Sequence, residues 1–392
     1  MNHNPLVIAF IIALSVFVVV IAASVYWLRL PPVFQNETDT IQPMEEVQEV
    51  AYALEEIAGG LEVPWGIVFT SPSRMLVSER SGRIRVVEND SLRAEPLITF
   101  PEVSTGGEEG LMSLALHPNY ARNKFAYASY AYPKAGELFV KVVRFTDKGD
   151  SADTITIIMD DIPAARFHAG CELAFGPDGK LYITTGDATD RTLAQDMDSL
   201  AGKILRVNDD GSVPSDNPFT DSPIWSYGHR NPQGISWDEA GNLYSTEHGP
   251  SGFDGPGGGD EINRIVKGGN YGWPLVSHEQ TQEGTIAPIA LYTPAEAPGS
   301  ALVYSGSVFP QFKGNVFFGA LRGEGLWRVQ IDSENPDRVL GQEKLFDGEY
   351  GRIREVTEGP DGFIYFTTSN RDGRGTPLAS DDRVFRIIPR GE

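Results

Sequence analysis

Only one of the 392 residues is a cysteine, Cys171, so the chain can form neither an internal disulfide bond nor a cysteine-ligated zinc site. Basic residues are also scarce, because 32 lysines and arginines stand against 54 aspartates and glutamates and leave a net charge of −22. A surface this acidic repels phosphate backbones, which argues against nucleic acid as a partner. Past residue 55 there is no long amphipathic helical pattern, and this favours an all-β fold.

One long hydrophobic run stands at the N-terminus. Leu6 to Leu28 carries no charge and is long enough to cross a bilayer core of roughly 30 Å. We expect residues 1–30 to be a transmembrane anchor; a cleaved signal sequence is the alternative, because Ala22-Ala23-Ser24 is a patch of small residues. The acidic, proline-containing composition of residues 31–54 predicts a linker. The rest of the chain is then expected outside the cytoplasm, or secreted if the segment is cleaved.

A strand–turn–strand pattern recurs through residues 55–392. Each copy has a short apolar strand, a turn rich in Pro, Asp and Gly, and a second strand of aromatic and β-branched residues. The six copies begin at Gly66, Leu114, Leu173, Gly234, Ser307 and Val356. They predict a six-bladed β-propeller of four-stranded antiparallel blades, and a β-sandwich is the alternative. In a propeller, the loops around the central channel are the place to look for a site.

The first polar segment that departs from plain turn composition runs from Arg166 to Gly170 and contains His168. A single histidine is more often a surface or core residue than a catalytic one. His168, however, stands just before a predicted innermost strand and among small residues that leave room for a ligand. An imidazole there is a candidate general base near neutral pH.

A second polar region begins with Gly228-His229-Arg230-Asn231 and continues through Glu247-His248-Gly249-Pro250. It ends with Asp260-Glu261-Ile262-Asn263 and the run from Lys267 to Pro274. Glycines expose backbone carbonyls and carboxylates lie nearby, and such oxygen ligands suit calcium better than zinc. The alternative is a long acidic turn without a metal.

The third group is basic. Arg322 and the alternating pair Arg352 and Arg354 stand at strand boundaries of the last two copies. Alternate residues of a strand point to the same face, so both late arginines can face one ligand. Together with Arg230 they would form a cationic pocket for a polycarboxylate. Ordinary surface ion pairs are the alternative.

These segments resemble the soluble quinoprotein glucose/sorbosone dehydrogenase family, including its aldose sugar dehydrogenases. The resemblance extends from about Pro64 to Ile388 and is most specific in GHRNPQG, EHGP, DEIN and KGGNYGWP. It implies a six-bladed propeller that uses pyrroloquinoline quinone (PQQ) and calcium to oxidise aldoses at the anomeric carbon to lactones, with electrons passed to an external acceptor.

The resemblance also implies roles for single residues. His168 corresponds to the general base, which takes the proton of the anomeric hydroxyl while hydride passes to the quinone C5. The PQQ-binding positions correspond to Glu108, His168, Arg230, Asn231, Arg322, Arg352 and Arg354. The calcium positions correspond to the carbonyls of Gly249 and Pro250, and to Glu261 and Tyr271 at a further site.

Four departures from the family pattern stand out. Glu108 replaces a glutamine that contacts the cofactor, and Arg322 replaces a lysine. Phe167 replaces a polar residue before the base, so sugar contacts are expected to differ. The stretch from Gly252 to Gly259 is a glycine-rich insertion.

Three functions remain open from the sequence. The enzyme reading rests on the joint presence of His168 and the arginines, which a binding module has no reason to keep. A non-catalytic extracellular binding propeller that retains the scaffold and calcium sites is the alternative. A calcium-dependent lactonase fits less well, since the ring of channel carboxylates typical of such enzymes is not evident.

Overall fold

The computed structural model describes residues 52–306 and 308–390, which form six antiparallel sheets arranged in a ring. The predicted anchor (residues 1–30) and nearly all of the predicted linker lie outside these residues. Within the described ranges, no helix has the length and apolar character needed to cross a membrane. The helical elements described are one short α-helix, α1 (Tyr120–Asn123), and two 3₁₀ turns (Arg191–Ala194 and Pro310–Phe312).

Blades 1 to 3 follow one another along the chain, each with its innermost strand first. Blade 1 contains β2 (Pro64–Ser71), β3 (Arg74–Glu79), β4 (Arg83–Glu88) and β5 (Ser91–Leu92), with β6 (Ile98–Thr99) also paired to β4. Blade 2 contains β7 (Leu111–Leu116), β8 (Phe125–Lys134), β9 (Glu137–Asp147) and β10 (Ala152–Ala164). Blade 3 contains β11 (Leu173–Phe175), β12 (Leu181–Thr185), β13 (Lys203–Val207) and β14 (Ile224–Tyr227).

Blades 4 to 6 repeat the pattern, and the last one borrows a strand from the beginning of the chain. Blade 4 contains β15 (Pro232–Trp237), β16 (Leu243–Glu247), β17 (Asp260–Ile265) and β18 (Ala290–Tyr292). Blade 5 contains β19 (Pro298–Val303), β20 (Val316–Ala320), β21 (Gly325–Ile331) and β22 (Val339–Leu345). Blade 6 contains β23 (Ile353–Glu358), β24 (Ile364–Thr368), β25 (Val384–Pro389) and β1 (Tyr52–Ala58).

The ring closes through pairing between the two ends of the described chain. Strand β1 pairs antiparallel with β25, from Tyr52 opposite Pro389 to Ala58 opposite Val384. Blade 6 is therefore built from both ends of the described chain. Hydrogen bonds between β1 and β25, with no covalent connection, close the ring. The prediction of six four-stranded blades is confirmed. The first described strand, β1, begins at Tyr52, within the predicted linker (residues 31–54), and it forms the outer strand of blade 6.

The core consists of apolar layers between neighbouring blades. One cluster between blades 2 and 3 includes Tyr127, Leu181 and Ile224, and another between blades 5 and 6 includes Phe317 and Phe366. The innermost strands of successive blades contact each other all the way around, with β23 meeting β2. Because the innermost strands pack against those of the neighbouring blades, the loops that lead into them are anchored around the central axis.

Candidate active site

A cavity of about 590 Å³ opens where the innermost strands begin and the second strands end. This volume lies in the range of small-molecule sites. Nine of the predicted site residues line it: Glu108, His168, Arg230, Asn231, Gly249, Pro250, Arg322, Arg352 and Arg354. Although they are scattered over almost 250 positions, the propeller gathers them because Arg354 lies at the start of β23 and the others lie in loops next to a first or second strand.

His168 is held by a buried carboxylate. Its Nδ1 lies 2.7 Å from Oδ1 of Asp187, and both side chains are almost fully buried. The other oxygen of Asp187 accepts a hydrogen bond from the Trp273 indole nitrogen at 2.8 Å. An ionised carboxylate accepts the proton on Nδ1, and this leaves Nε2 as the imidazole nitrogen available to a ligand.

The backbone around His168 is equally constrained. His168 has a φ of 56°, which is uncommon for a residue with a side chain. Gly186 allows this close approach, since a Cβ there would lie 2.0 Å from the His168 carbonyl oxygen and 2.7 Å from Oδ1 of Asn231. Such backbone outliers concentrate at functional sites, where the surrounding structure holds them in place.

Two arginines on blade 6 share one carboxylate. Arg352 and Arg354 both contact Oδ2 of Asp372, at 2.7 and 3.4 Å. Arg354 also lies 3.9 Å above the Trp65 ring. Burial, opposed by the charge of Asp372 and reinforced by that of Arg352, lowers the pKa of Arg354 to about 10. The two arginines therefore face the same cavity as predicted, and one carboxylate compensates only part of their charge.

Arg230 and Asn231 lie just before β15. The Arg230 guanidinium donates to Asp254 at 2.7 Å, to the His248 carbonyl at 3.2 Å and to the Ser251 hydroxyl at 3.0 Å. Oδ1 of Asn231 accepts hydrogen bonds from the Gly170 amide and the Gln233 side chain. Both side chains are nearly fully buried, so they are held firmly in the cavity wall.

Two of the departures from the family pattern lie at the cavity rim. The Glu108 carboxylate pairs with Arg374 at 2.7 Å, so its negative charge is balanced at this position. Arg322 is exposed and follows the end of β20. In all, six arginines line the cavity (Arg80, Arg230, Arg322, Arg352, Arg354 and Arg374). The four acidic residues of the lining are Glu108, Asp260, Glu324 and Asp372, so the cavity is cationic in a protein of strongly negative charge.

The predicted calcium positions line one small recess beside the cavity. Gly249, Pro250, Glu261 and Tyr271 all contribute to it. Oδ1 of Asn263 is buried nearby without a hydrogen-bond donor, while its amide nitrogen donates to Glu261 at 2.9 Å. Such oxygens suit calcium. Within residues 52–306 and 308–390, however, no three His, Cys, Asp or Glu side chains are grouped as a metal site, so any calcium would need backbone carbonyls as well.

The central axis carries a polar ring just beneath the cavity. The register of the six innermost hairpins makes one position equivalent in every blade. From blade 1 to blade 6 the order glycine, serine, glutamate occurs twice at this position: Gly66, Ser113, Glu172, Gly234, Ser300 and Glu355. The two carboxyl groups thus stand on opposite blades, 3 and 6. Burial raises the pKa of Glu172 to about 8, and burial together with Glu172 raises that of Glu355.

Sequence reasoning assigned no role to Asp187, Asp372 or Trp273. Asp187 follows the end of β12, and Asp372 comes four residues after the end of β24. For both aspartates, the sequence feature that could have indicated a role is an acidic residue shortly after the second strand of a blade, where the cavity loops begin. Their partners could not be read from the sequence, because Asp187 contacts Trp273 from 86 positions away.

Comparisons with known proteins identify the family of the chain. Residues 61–379 match the family described as Glucose / Sorbosone dehydrogenase. The solved PQQ-bound form of an aldose sugar dehydrogenase from Streptomyces coelicolor is 33% identical, with a TM-score of 0.76, covering 88% of this chain and 99% of that one. The aldose sugar dehydrogenase YliI of Escherichia coli K12 is 32% identical over 346 residues, covering 82% of this chain and 91% of that protein.

A more distant similarity points to another kind of protein. Human Hedgehog-interacting protein is 27% identical over 225 residues, which cover 48% of this chain and 32% of that protein. Related sequences therefore also occur in proteins that are not named as dehydrogenases.

Proposed function

Because the chain belongs to the glucose/sorbosone dehydrogenase family, we propose that it is a PQQ- and calcium-dependent dehydrogenase that oxidises an aldose at the anomeric carbon to the lactone. The observation that carries the proposal is the buried His168–Asp187 pair at a cavity lined with arginines. A base next to a cationic pocket suits proton abstraction beside an anionic cofactor.

His168 is the proposed general base. Asp187 fixes the imidazole with its proton on Nδ1, so Nε2 accepts the proton of the anomeric hydroxyl. Asp187 also stabilises the imidazolium that forms, as the buried carboxylate does in other histidine–carboxylate pairs. The Trp273 indole keeps Asp187 from rotating away.

The cavity fits PQQ, a flat molecule with several carboxylates. Arg352 and Arg354 hold only one carboxylate between them, so their charge remains available to an anion. The proposed PQQ contacts are Glu108, His168, Arg230, Asn231, Arg322, Arg352 and Arg354. When bound, PQQ supplies the quinone that accepts hydride from the sugar. The protein holds the reactants in position and supplies the charges around them.

The recess beside the cavity fits calcium through its oxygen atoms. We propose that the Gly249 and Pro250 carbonyls serve an ion next to the cofactor, and that Glu261 and Tyr271 serve a further ion. The Pro250 carbonyl already accepts the Gly258 amide at 3.2 Å, and its second lone pair remains available. The unpartnered Oδ1 of Asn263 supports a cation at this place.

Membrane attachment and location are proposals from the sequence alone. We propose that residues 1–30 anchor the propeller outside the cytoplasm, or release it if they are cleaved, and that an external acceptor takes the electrons from the reduced cofactor. The apolar run from Leu6 to Leu28 supports the anchor.

Reconstitution tests the proposed activity. The purified cofactor-free protein is titrated with PQQ, with and without Ca²⁺, and then assayed for reduction of a redox dye by aldoses. His168→Ala is expected to lower turnover by about 10²–10⁴-fold while PQQ still binds. The control is His117→Ala, since His117 follows the far end of β7 on the opposite face of the propeller. If the wild type does not bind PQQ at micromolar concentration, the proposal is wrong.

A non-catalytic binding propeller is the second candidate, favoured by the similarity to Hedgehog-interacting protein. It would retain the scaffold and the calcium sites without needing the base. The same titration separates the two candidates, because a binding propeller would take up calcium but neither bind PQQ nor reduce the dye.

A further inference from the structure

The glycine-rich insertion Gly252–Gly259 lies across one side of the cavity. It follows Pro250 and Ser251, both of which line the cavity wall. Gly252 and Gly258 have φ values of 92° and 113°, a region that residues with a side chain rarely adopt. Apart from its two chain neighbours, no residue has an atom within 4 Å of where a Cβ would stand on Gly252. Gly252 therefore has the room and the backbone freedom of a hinge, whereas Gly258 lies close to Thr293 and anchors the far end of the segment.

An ion pair ties this segment to the cavity. Asp254 accepts a hydrogen bond from Arg230 Nε at 2.7 Å, and the two side chains are 9% and 2% exposed. Its second oxygen accepts the Ser251 amide at 2.9 Å, and its carbonyl accepts Arg191 at 3.2 Å. Burial alone would raise the pKa of Asp254, but Arg230 lowers it below the ordinary value. Asp254 is therefore a charged anchor for the segment.

The neighbouring Phe253 is placed over the proposed base. Its ring stacks on the His168 imidazole with 5.8 Å between centroids and 26° between planes. Phe253 is nevertheless 68% exposed, whereas His168 is only 4% exposed. The ring thus covers His168 while its other face meets solvent. Phe167, the residue before His168 in the sequence, also lines the cavity and is 43% exposed.

We propose that Phe253 is a gate over His168 that an aldose must pass and then pack against, and that Asp254 is the latch that keeps it closed. The sugar contact rests on the proposed function, whereas the closure does not. Phe253 and Phe167 are two of the few large apolar side chains that are exposed among the described residues, and both adjoin His168.

The chemistry of the pair indicates the ligand class. An aldopyranose has an apolar face of C–H groups as well as polar hydroxyls, and aromatic rings at a polar cavity mouth bind such a face while arginines bind hydroxyls. A small linear polyol lacks that flat face. Phe253 is therefore expected to favour cyclic aldoses over linear polyols.

Chemical labelling of the cofactor-free protein tests the closed gate. Diethyl pyrocarbonate modifies exposed imidazoles, and mass spectrometry of peptides gives the rate for His168, with His117 as the internal reference. Phe253→Ala and Asp254→Asn are each expected to raise the His168 rate severalfold, because either change uncovers the imidazole. Phe253→Trp is expected to retain the slow rate. An unchanged rate in both Phe253→Ala and Asp254→Asn would overturn the gate.

Steady-state kinetics of the PQQ-loaded protein tests the sugar contact. Phe253→Ala is expected to raise KM for an aldose about two- to tenfold, with kcat and the Kd for PQQ nearly unchanged. The matched control is Leu340→Ala, an exposed apolar residue on the outer strand β22. An unchanged KM, or a parallel change in the Kd for PQQ, would overturn the sugar contact. A wild type without any aldose activity would instead refute the proposed function, and the labelling rates would still decide whether the gate exists.

Discussion

Around the cavity, basic side chains are held in place by buried carboxylates. Asp187 holds His168, and Asp372 holds both Arg352 and Arg354. A buried charge is tolerated when a partner and hydrogen bonds compensate it. Removing one partner leaves the other as an uncompensated charge in the protein interior, where the dielectric constant is low. The function of each basic residue therefore depends on its carboxylate as much as on itself.

Asp187→Asn changes the hydrogen bond that fixes the imidazole. An amide can present its NH₂ to Nδ1, which favours the tautomer with the proton on Nε2 and removes the proton acceptor. We expect turnover of the PQQ-loaded enzyme to fall by about 10²–10⁴-fold, as for other histidine–carboxylate pairs. The Kd for PQQ, measured by titration, is expected to change little. A variant with wild-type turnover would show that Asp187 does not position His168.

Asp372→Asn leaves Arg352 and Arg354 without their shared counter-charge. We expect the free energy of unfolding of the cofactor-free protein to fall by about 2–4 kcal/mol, measured by urea denaturation. Asp150→Asn is the control, since Asp150 is 92% exposed and its pair with Arg93 should contribute less than about 1 kcal/mol. Equal losses in the two variants would contradict a special role for Asp372.

At the scale of the structural elements, the six innermost strands place two carboxyl groups on the axis. The Ser113 hydroxyl donates to Glu172 at 2.9 Å, and the charge of Glu172 adds to burial in raising the pKa of Glu355. Other charged or titratable groups near these two carboxyl groups are the Arg354 guanidinium and the Cys171 thiol. The ring is therefore expected to carry a proton at neutral pH.

Glu172→Gln tests the protonation of this ring. Because its pKa is raised in the folded protein, Glu172 contributes stability that is full below about pH 4.5 and is lost as the pH rises toward 8. We expect the variant to be more stable than wild type at pH 8 by about 1–2 kcal/mol, since Glu172 is partly exposed, and to differ little at pH 5. Thermal unfolding across this range gives the measurement. Lower stability of the variant at pH 8 would show that the ring favours the charged carboxylate.

At the scale of the whole molecule, the contact between the first and last blades decides whether the ring stays closed. Ile57 on β1 is buried between blades 6 and 1. We expect Ile57→Ala to lower the free energy of unfolding by about 2–5 kcal/mol, since it leaves a cavity at the closure. Ile155→Ala is the matched control because Ile155 is 52% exposed on β10, and it should change stability by less than about 0.5 kcal/mol. Similar losses in both would argue against a closure role for β1.

Much of the architecture could be predicted, because its information is local. Each blade repeats an apolar strand, a turn and a second apolar strand, and turn glycines such as Gly179 and Gly362 have the positive φ that the hairpins need. Counting these hairpins was enough to predict six blades. The place of β1 in blade 6 is not local information, because β1 has no partner near it in the sequence and pairs with β25.

The sequence named the candidate site residues that line the cavity, but not the contacts between them. The sequence by itself determined the blade number and identified His168 and the arginines as candidate site residues, because residue types in short segments carry this information. Only the tertiary structure decided that Asp187 holds His168, that Asp372 joins two arginines, and that Phe253 stacks on His168. These contacts bring together residues that are distant in sequence, and closing the ring fixes all of them at once.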